Sequence, residues 1–131
     1  MKTPLLQIAL TLAAAMPLAS HAQDGNLTKQ FAACMDKSGG VTMDMIECIG
    51  AETQRQDTRL NKAYKALTAS VTPERKKKQL QDAQRAWIKF RDNNCGFYYD
   101  PDGGSMARVS ANDCMMTMTA NRAKELENIN Q

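Results

Sequence analysis

The residues of this chain with the greatest chemical potential are four cysteines: Cys34, Cys48, Cys95 and Cys114. A thiolate can act as a nucleophile, bind a metal or form a disulfide. Nucleophilic catalysis requires a neighbouring base, and the only histidine, His21, lies near the amino terminus, within a segment that resembles an export signal. The sequence therefore predicts disulfides rather than a Cys-His or Ser-His enzyme, and we expect no enzymatic activity.

The amino-terminal segment has the three parts of a bacterial export signal. Lys2 supplies a positive start, Leu5–Leu18 form an apolar run, and Ser20–Ala22 place small residues where a signal peptidase inspects the chain. We predict a signal peptide over residues 1–22, cleaved after Ala22.

Residues 23–131 should then form one periplasmic or secreted domain. The apolar run is too short to span a bilayer comfortably and no second one follows, so we expect no membrane insertion after cleavage. The net charge of the full chain is +3, and removal of Lys2 lowers it by one. This small excess of positive charge does not favour nucleic acid as a partner.

Apolar residues recur at helical spacing through the mature chain, and no stretch alternates as a strand does. A short helix is predicted over about Leu27–Lys37 and a long one over Thr42–Ala69. A third has Thr72 as N-cap and Pro73 in its first turn, and ends near Cys95. A capping box over Ser110–Asp113 is predicted to open the last. This pattern predicts an all-α antiparallel bundle of three long helices and one short one.

Helix order also bears on how the cysteines pair. Four cysteines allow three connectivities. Consecutive helices joined by short turns are neighbours, which favours Cys34–Cys48 and Cys95–Cys114 over the other two arrangements. Each bridge is expected to stabilise the fold by roughly 3 kcal/mol.

Polar residues line the apolar stripes of the long helices and form a predicted polar network. We expect Asp57, Gln84 and Arg122 to share one layer, with Arg91 nearer the disulfide end. Such a cluster either binds a ligand or fixes helix register around Trp87, and we favour the structural role. The members of the network are Asp57, Asn61, Tyr64, Gln84, Trp87, Arg91 and Arg122.

A loop rich in aromatic, acidic and glycine residues is the candidate binding loop, because helices and a disulfide would hold its ends. Asp100-x-Asp102-Gly103 resembles the start of a calcium loop, but the later ligands and the closing glutamate are missing, so turn chemistry is favoured and no metal is expected. The residues of this aromatic loop are Phe97, Tyr98, Tyr99, Asp100, Asp102, Gly103, Gly104 and Ser105.

Two further patterns have a functional and a structural interpretation. The basic run Arg75–Lys78 could bind an anionic cell-surface polymer, although a solvated helix face is favoured. Methionines at Met43-x-Met45 and Met115-Met116-x-Met118 are of the type used by copper carriers, although core packing is favoured. We therefore expect no cofactor.

An ordered set of motifs runs through most of the predicted mature chain. Its elements are Cys48, Asp57-x-x-Leu60-Asn61-x-x-Tyr64, Leu80-x-x-x-Gln84-x-x-Trp87-Ile88-x-x-Arg91-x-x-x-Cys95, Gly103-Gly104-Ser105, Cys114 and Thr119-x-x-Arg122-x-x-Glu125-Leu126. Together these residues resemble the lysozyme inhibitor LprI N-terminal domain family of exported bacterial proteins. The resemblance implies a small helical, disulfide-bonded periplasmic or surface domain. It also implies inhibition of lysozyme, from which the family takes its name.

The resulting hypothesis is an exported binding module that acts by protein–protein occlusion of lysozyme or another envelope protein, through the aromatic loop. The alternative is a non-enzymatic envelope or stress protein that binds an anionic cell-surface polymer through Arg75–Lys78.

Overall fold

The computed structural model describes residues 26–129, which form four helices. Their bounds are Lys29–Ser38 for α1, Thr42–Ser70 for α2, Glu74–Phe97 for α3 and Gly104–Ile129 for α4. The described residues contain no strand, and the predicted all-α fold of one short and three long helices is confirmed. The predicted signal peptide and its cleavage site lie outside the described residues.

Local signals fix the first turn between helices. The Oγ1 of Thr28 caps α1 by accepting a hydrogen bond from the backbone N–H of Phe31 at 3.2 Å. The helix stops at Gly39, whose φ of 55° lies in the left-handed region that glycine adopts without a Cβ clash. α2 then begins at Thr42, the predicted residue.

The start of α3 differs from the prediction. We predicted Thr72 as the N-cap, but Pro73 occupies that position and the helix begins at Glu74. Pro73 has an extended ψ of 174° and makes no side-chain cap hydrogen bond. The helix therefore starts after the proline rather than at it, and the first-turn acid Glu74 remains well placed for the helix dipole.

The start of α4 also differs from the prediction. The helix begins at Gly104, and the predicted capping box, Ser110–Asp113, lies inside it. Gly104 has a φ of 69°, which allows the chain to turn sharply into the helix. The residues that follow, including Ala107 and Arg108, are good helix formers, so nothing delays the helix until Ser110.

A buried apolar cluster between α2 and α4 forms the centre of the fold. Its members are Leu60, Ala63, Leu67, Ala123 and Leu126, and partly buried Tyr64, Val71, Leu80 and Trp87 pack against it. Because the chain reverses direction twice between them, α2 and α4 run parallel and α3 is antiparallel to both. α1 packs on α2 and α3 packs on α4, whereas α2 and α3 hardly touch each other.

Both predicted disulfides are present. Cys34–Cys48 joins α1 to α2 across a Cα separation of 5.7 Å, and Cys95–Cys114 joins α3 to α4 across 5.4 Å. Every cysteine is paired. Each bridge thus joins two helices that are consecutive in the sequence, as the helix order predicts.

Candidate functional site

A groove of about 280 Å³ runs between α2 and α3, and we call it the Trp87 groove. The backbones of these two helices approach each other much less closely than those of α2 and α4, while Leu80 and Trp87 of α3 pack against the apolar cluster. Six of the seven residues of the predicted polar network line it: Asp57, Asn61, Tyr64, Gln84, Trp87 and Arg91.

The floor of the Trp87 groove is a buried polar contact with α4. Arg122 donates from Nε to Gln84 Oε1 at 3.1 Å, and both residues are buried. The guanidinium groups of Arg91 and Arg122 lie 5.2 Å and 5.9 Å from the centre of the Trp87 ring, within cation–π range. Arg91 also donates to Thr119 Oγ1 of α4 at 3.3 Å.

The rim of the groove is exposed and separate from this floor. Asn61 donates to Asp57 Oδ2 at 3.1 Å, one turn away on α2, and both residues are exposed. Asp57 and Gln84 line the same groove and Arg122 donates to Gln84, while among the described residues no hydrogen bond joins Asp57 to Gln84 or Arg122. A structural role for the polar network therefore remains a prediction, with a buried part at the floor and an exposed part at the rim.

The aromatic loop, Phe97–Ser105, includes the last residue of α3 and the first two of α4. Its three consecutive aromatic side chains are 84% exposed at Phe97, 48% at Tyr98 and 54% at Tyr99. The Phe97 and Tyr98 rings meet edge to face with their centres 5.7 Å apart. Three large apolar groups therefore stand together on the surface at one end of the bundle.

The acidic half of the aromatic loop is a turn. Asp100 accepts from the backbone N–H of Asp102 through Oδ1 at 2.9 Å and from that of Gly103 through its carbonyl at 3.1 Å. A Cβ on Gly103 would lie 2.8 Å from that of Ala107, so only glycine fits there. This geometry is what turn chemistry requires, and among residues 26–129 no cluster of three metal-binding side chains is found.

A sulfur-rich contact supports the base of the loop. The Met118 Sδ lies 3.6 Å from Cys95 Sγ and 3.8 Å from Cys114 Sγ, and the Asn94 amide lies 3.5 Å from it. Cys95 is only 2% exposed. Cys95 is therefore packed into the structure, and its bridge to Cys114 ties the two ends of the aromatic loop together.

The family described as Lysozyme inhibitor LprI matches residues 34–126 of this sequence. The chain belongs to this family. An uncharacterized protein of Rhizobium meliloti (strain 1021) is 29% identical over 100 residues, covering 66% of this chain and 72% of that protein. No solved structure matches the chain.

The LprI-family domain also contains a buried carboxylate that the sequence analysis missed. Glu52 of α2 is fully buried, and it accepts from the backbone N–H of Thr28 at 2.9 Å and from its hydroxyl at 2.6 Å. Arg55 and Gln56 each donate to it at 2.7 Å. Burial alone would raise the pKa of Glu52, but these hydrogen bonds outweigh it and lower the pKa below its usual value.

A neighbouring ion pair extends this network to α4. Arg59 binds both carboxylate oxygens of Glu127, with Nε 2.7 Å from Oε1, and donates to Gln56 Oε1 at 3.1 Å. The hydrogen bond from Arg59 lowers the pKa of Glu127. Glu52 and Gln56 fall at helical spacing within the apolar stripe of α2, and that position is the signal by which the buried network could have been found.

The basic run lies on the surface of α3, and the methionines divide between the core and the surface, because Met43 is 55% exposed. Lys77 and Lys78 pair with acids of their own helix, at 3.6 Å from Glu74 and 2.8 Å from Asp82. Met116 is buried in the core. None of the four described helices has the length and hydropathy of a transmembrane span.

Proposed function

We propose that this domain is an exported, non-enzymatic binding module that inhibits a lysozyme by covering part of its surface. Membership of the LprI family supports the class of activity. The two disulfides suit an oxidising compartment outside the cytoplasm. Because all four cysteines are bridged, no thiol is available as a nucleophile.

The aromatic loop is the proposed contact surface, and the observation that carries the proposal is the exposure of Phe97, Tyr98 and Tyr99. Aromatic side chains supply much of the binding energy in protein interfaces, and adjacent exposed ones are uncommon on a surface without a partner. The Cys95–Cys114 bridge fixes the base of the loop, so little conformational entropy is lost on binding.

Charge on the loop favours a cationic partner surface. Asp100 and Asp102 are both exposed beside the aromatic rings. Carboxylates at the edge of an interface steer association with a positively charged partner and mainly raise the association rate. We therefore expect inhibition to weaken at high ionic strength.

The test is a lysis assay with lysozyme and a cell-wall suspension, in the presence of the oxidised domain (residues 23–131). Wild type should inhibit, and the Phe97→Ala/Tyr99→Ala variant should need at least about tenfold more protein for the same effect, because each lost anchor costs about 1–2 kcal/mol. The matched control is Ile129→Ala, which truncates a 58% exposed apolar residue at the far end of α4.

Two outcomes contradict the proposal in different ways. If wild type leaves lysis unchanged at micromolar concentration, the inhibitory activity is wrong. If wild type inhibits but the double variant inhibits equally well, the activity stands and the aromatic loop is not the contact.

A second candidate function is binding of an anionic cell-surface polymer through Arg75–Lys78. It is supported by Arg75 and Lys76, which are exposed and make no ion pair within the described residues. Salt-sensitive retention on lipopolysaccharide or teichoic acid, lost in Arg75→Glu/Lys76→Glu, would support this function. Equal retention of the reversed variant would eliminate it.

A further inference from the structure

The Trp87 groove presents polar groups whose hydrogen-bonding capacity the fold leaves unused. Gln84 is only 5% exposed, and its Oε1 is occupied by Arg122. Within residues 26–129, its Nε2, the Tyr64 hydroxyl and the Gln81 amide make no hydrogen bond. None of the three is a buried atom without a partner, so all of them are open to solvent and available to a molecule that enters the groove.

The charges along the groove are largely compensated. Arg85 pairs with Asp82 of the same helix, and Arg91 donates twice to Asp92, at 2.8 Å and 2.9 Å. Asp57 has no cationic partner among the described residues, but the two arginines share its groove. Neither a strongly anionic nor a strongly cationic ligand therefore gains a large electrostatic advantage there.

The hydrogen-bonding groups indicate what kind of neutral ligand fits. Asp57 can only accept, Gln84 Nε2 can only donate, and the Tyr64 hydroxyl and the Gln81 amide can do both. Hydroxyl groups match such a mixture because each one donates and accepts. Apolar side chains also line the groove, so a ligand with both hydroxyl edges and an apolar face suits it.

We propose that the Trp87 groove binds a neutral sugar unit. Its volume of about 280 Å³ lies just below the range of roughly 300–1,000 Å³ of sites for drug-sized ligands, so it accommodates one small ring rather than a polymer. The unit is bound through its hydroxyls by the groove's amides and carboxylate. This site is separate from the aromatic loop, and it does not depend on lysozyme inhibition.

Trp87 provides a direct assay, because it is the only tryptophan of the chain and lies in the groove. The oxidised domain is titrated with the trimer of N-acetylglucosamine and, separately, with maltotriose, each to about 10 mM, while tryptophan fluorescence is recorded. We expect a saturable change with at least one trisaccharide. The comparison between the two shows whether N-acetyl groups or hydroxyls alone are recognised.

A variant and a matched control locate the site. Asn61→Ala/Gln81→Ala removes two groove amides and should weaken binding at least tenfold. Gln79→Ala/Asn93→Ala removes two exposed amides of α3 that do not line the groove, and should bind as wild type does. Far-UV circular dichroism verifies that both variants keep their helices.

Three results would overturn the proposal. The first is the absence of a saturable change with either trisaccharide. The second is equal affinity in the groove variant and its control. The third is a strong loss of binding as ionic strength rises, since a neutral ligand is not subject to charge screening and such a loss would show that charge is recognised instead.

Discussion

Replacing the buried carboxylate of Glu52 tests the main buried polar network of the fold. Four donors from three residues, Thr28, Arg55 and Gln56, converge on its two oxygens within 2.9 Å. In Glu52→Ala the Thr28 N–H and the Gln56 amide lose their acceptor, at about 1–3 kcal/mol each, while Arg55 can turn to solvent. We expect the free energy of unfolding to fall by about 3 kcal/mol.

Glu52→Gln is the more discriminating change because it keeps the shape of the side chain. One amide oxygen still accepts two bonds, whereas the new NH₂ group faces donors, of which only the Thr28 hydroxyl can rotate to accept. We expect a loss of about 1–2 kcal/mol at pH 7. Glu47→Gln is the control, because that carboxylate of α2 is exposed and makes no ion pair within the described residues, so its replacement should change stability by less than about 0.5 kcal/mol.

The pH dependence follows from the lowered pKa of Glu52. A carboxylate whose pKa is lower in the folded state stabilises the fold fully above its unfolded pKa, about 4.3, and loses that contribution as the pH falls through the folded value. Wild type should therefore lose stability on acidification more steeply than Glu52→Gln. The difference between the two proteins should be largest at neutral pH and shrink below about pH 4.

Urea unfolding of the oxidised domain, followed by circular dichroism between pH 3 and pH 7, measures both effects. A loss below about 0.5 kcal/mol in Glu52→Gln at pH 7 would show that the network contributes little. A difference between wild type and Glu52→Gln that stays constant over the whole pH range would refute the assignment of a stabilising, ionised Glu52.

Two further predictions concern the aromatic loop and the residues that hold its ends. Gly96→Ala should stabilise the protein by about 0.5 kcal/mol, since the new Cβ in α3 meets nothing within 4 Å. Gly104→Ala should destabilise it by about 1 kcal/mol because of the positive φ of 69°. Thermal melts of the two variants should therefore shift in opposite directions. Cys95→Ser/Cys114→Ser should lower the free energy of unfolding by roughly 3 kcal/mol, measured in urea against reduced and oxidised wild type, and a loss below about 1 kcal/mol would contradict the stabilising role of this bridge.

Much of the fold could be predicted from the sequence because its signals are local. The glycine pair after Ser38, the helical spacing of apolar residues and the order of the cysteines each specify structure without knowledge of distant contacts. The beginning of α4 was mispredicted because a capping box is a start signal only where the preceding residues cannot be helical, and those after Gly104 can.

The site was harder to predict, because helical spacing shows which face a residue lies on and not what covers that face. Glu52 and Asp57 are both acidic residues of α2, yet Thr28 and α1 cover the first, while the second opens onto the space between α2 and α3. A carboxylate that is completely buried needs hydrogen bonds to both of its oxygens, and Glu52 accepts four. In the partly open groove, donors such as Gln84 Nε2 make no hydrogen bond to the protein and can bind a ligand. At Glu52 the same kind of group is fully hydrogen-bonded within the fold and contributes to its stability.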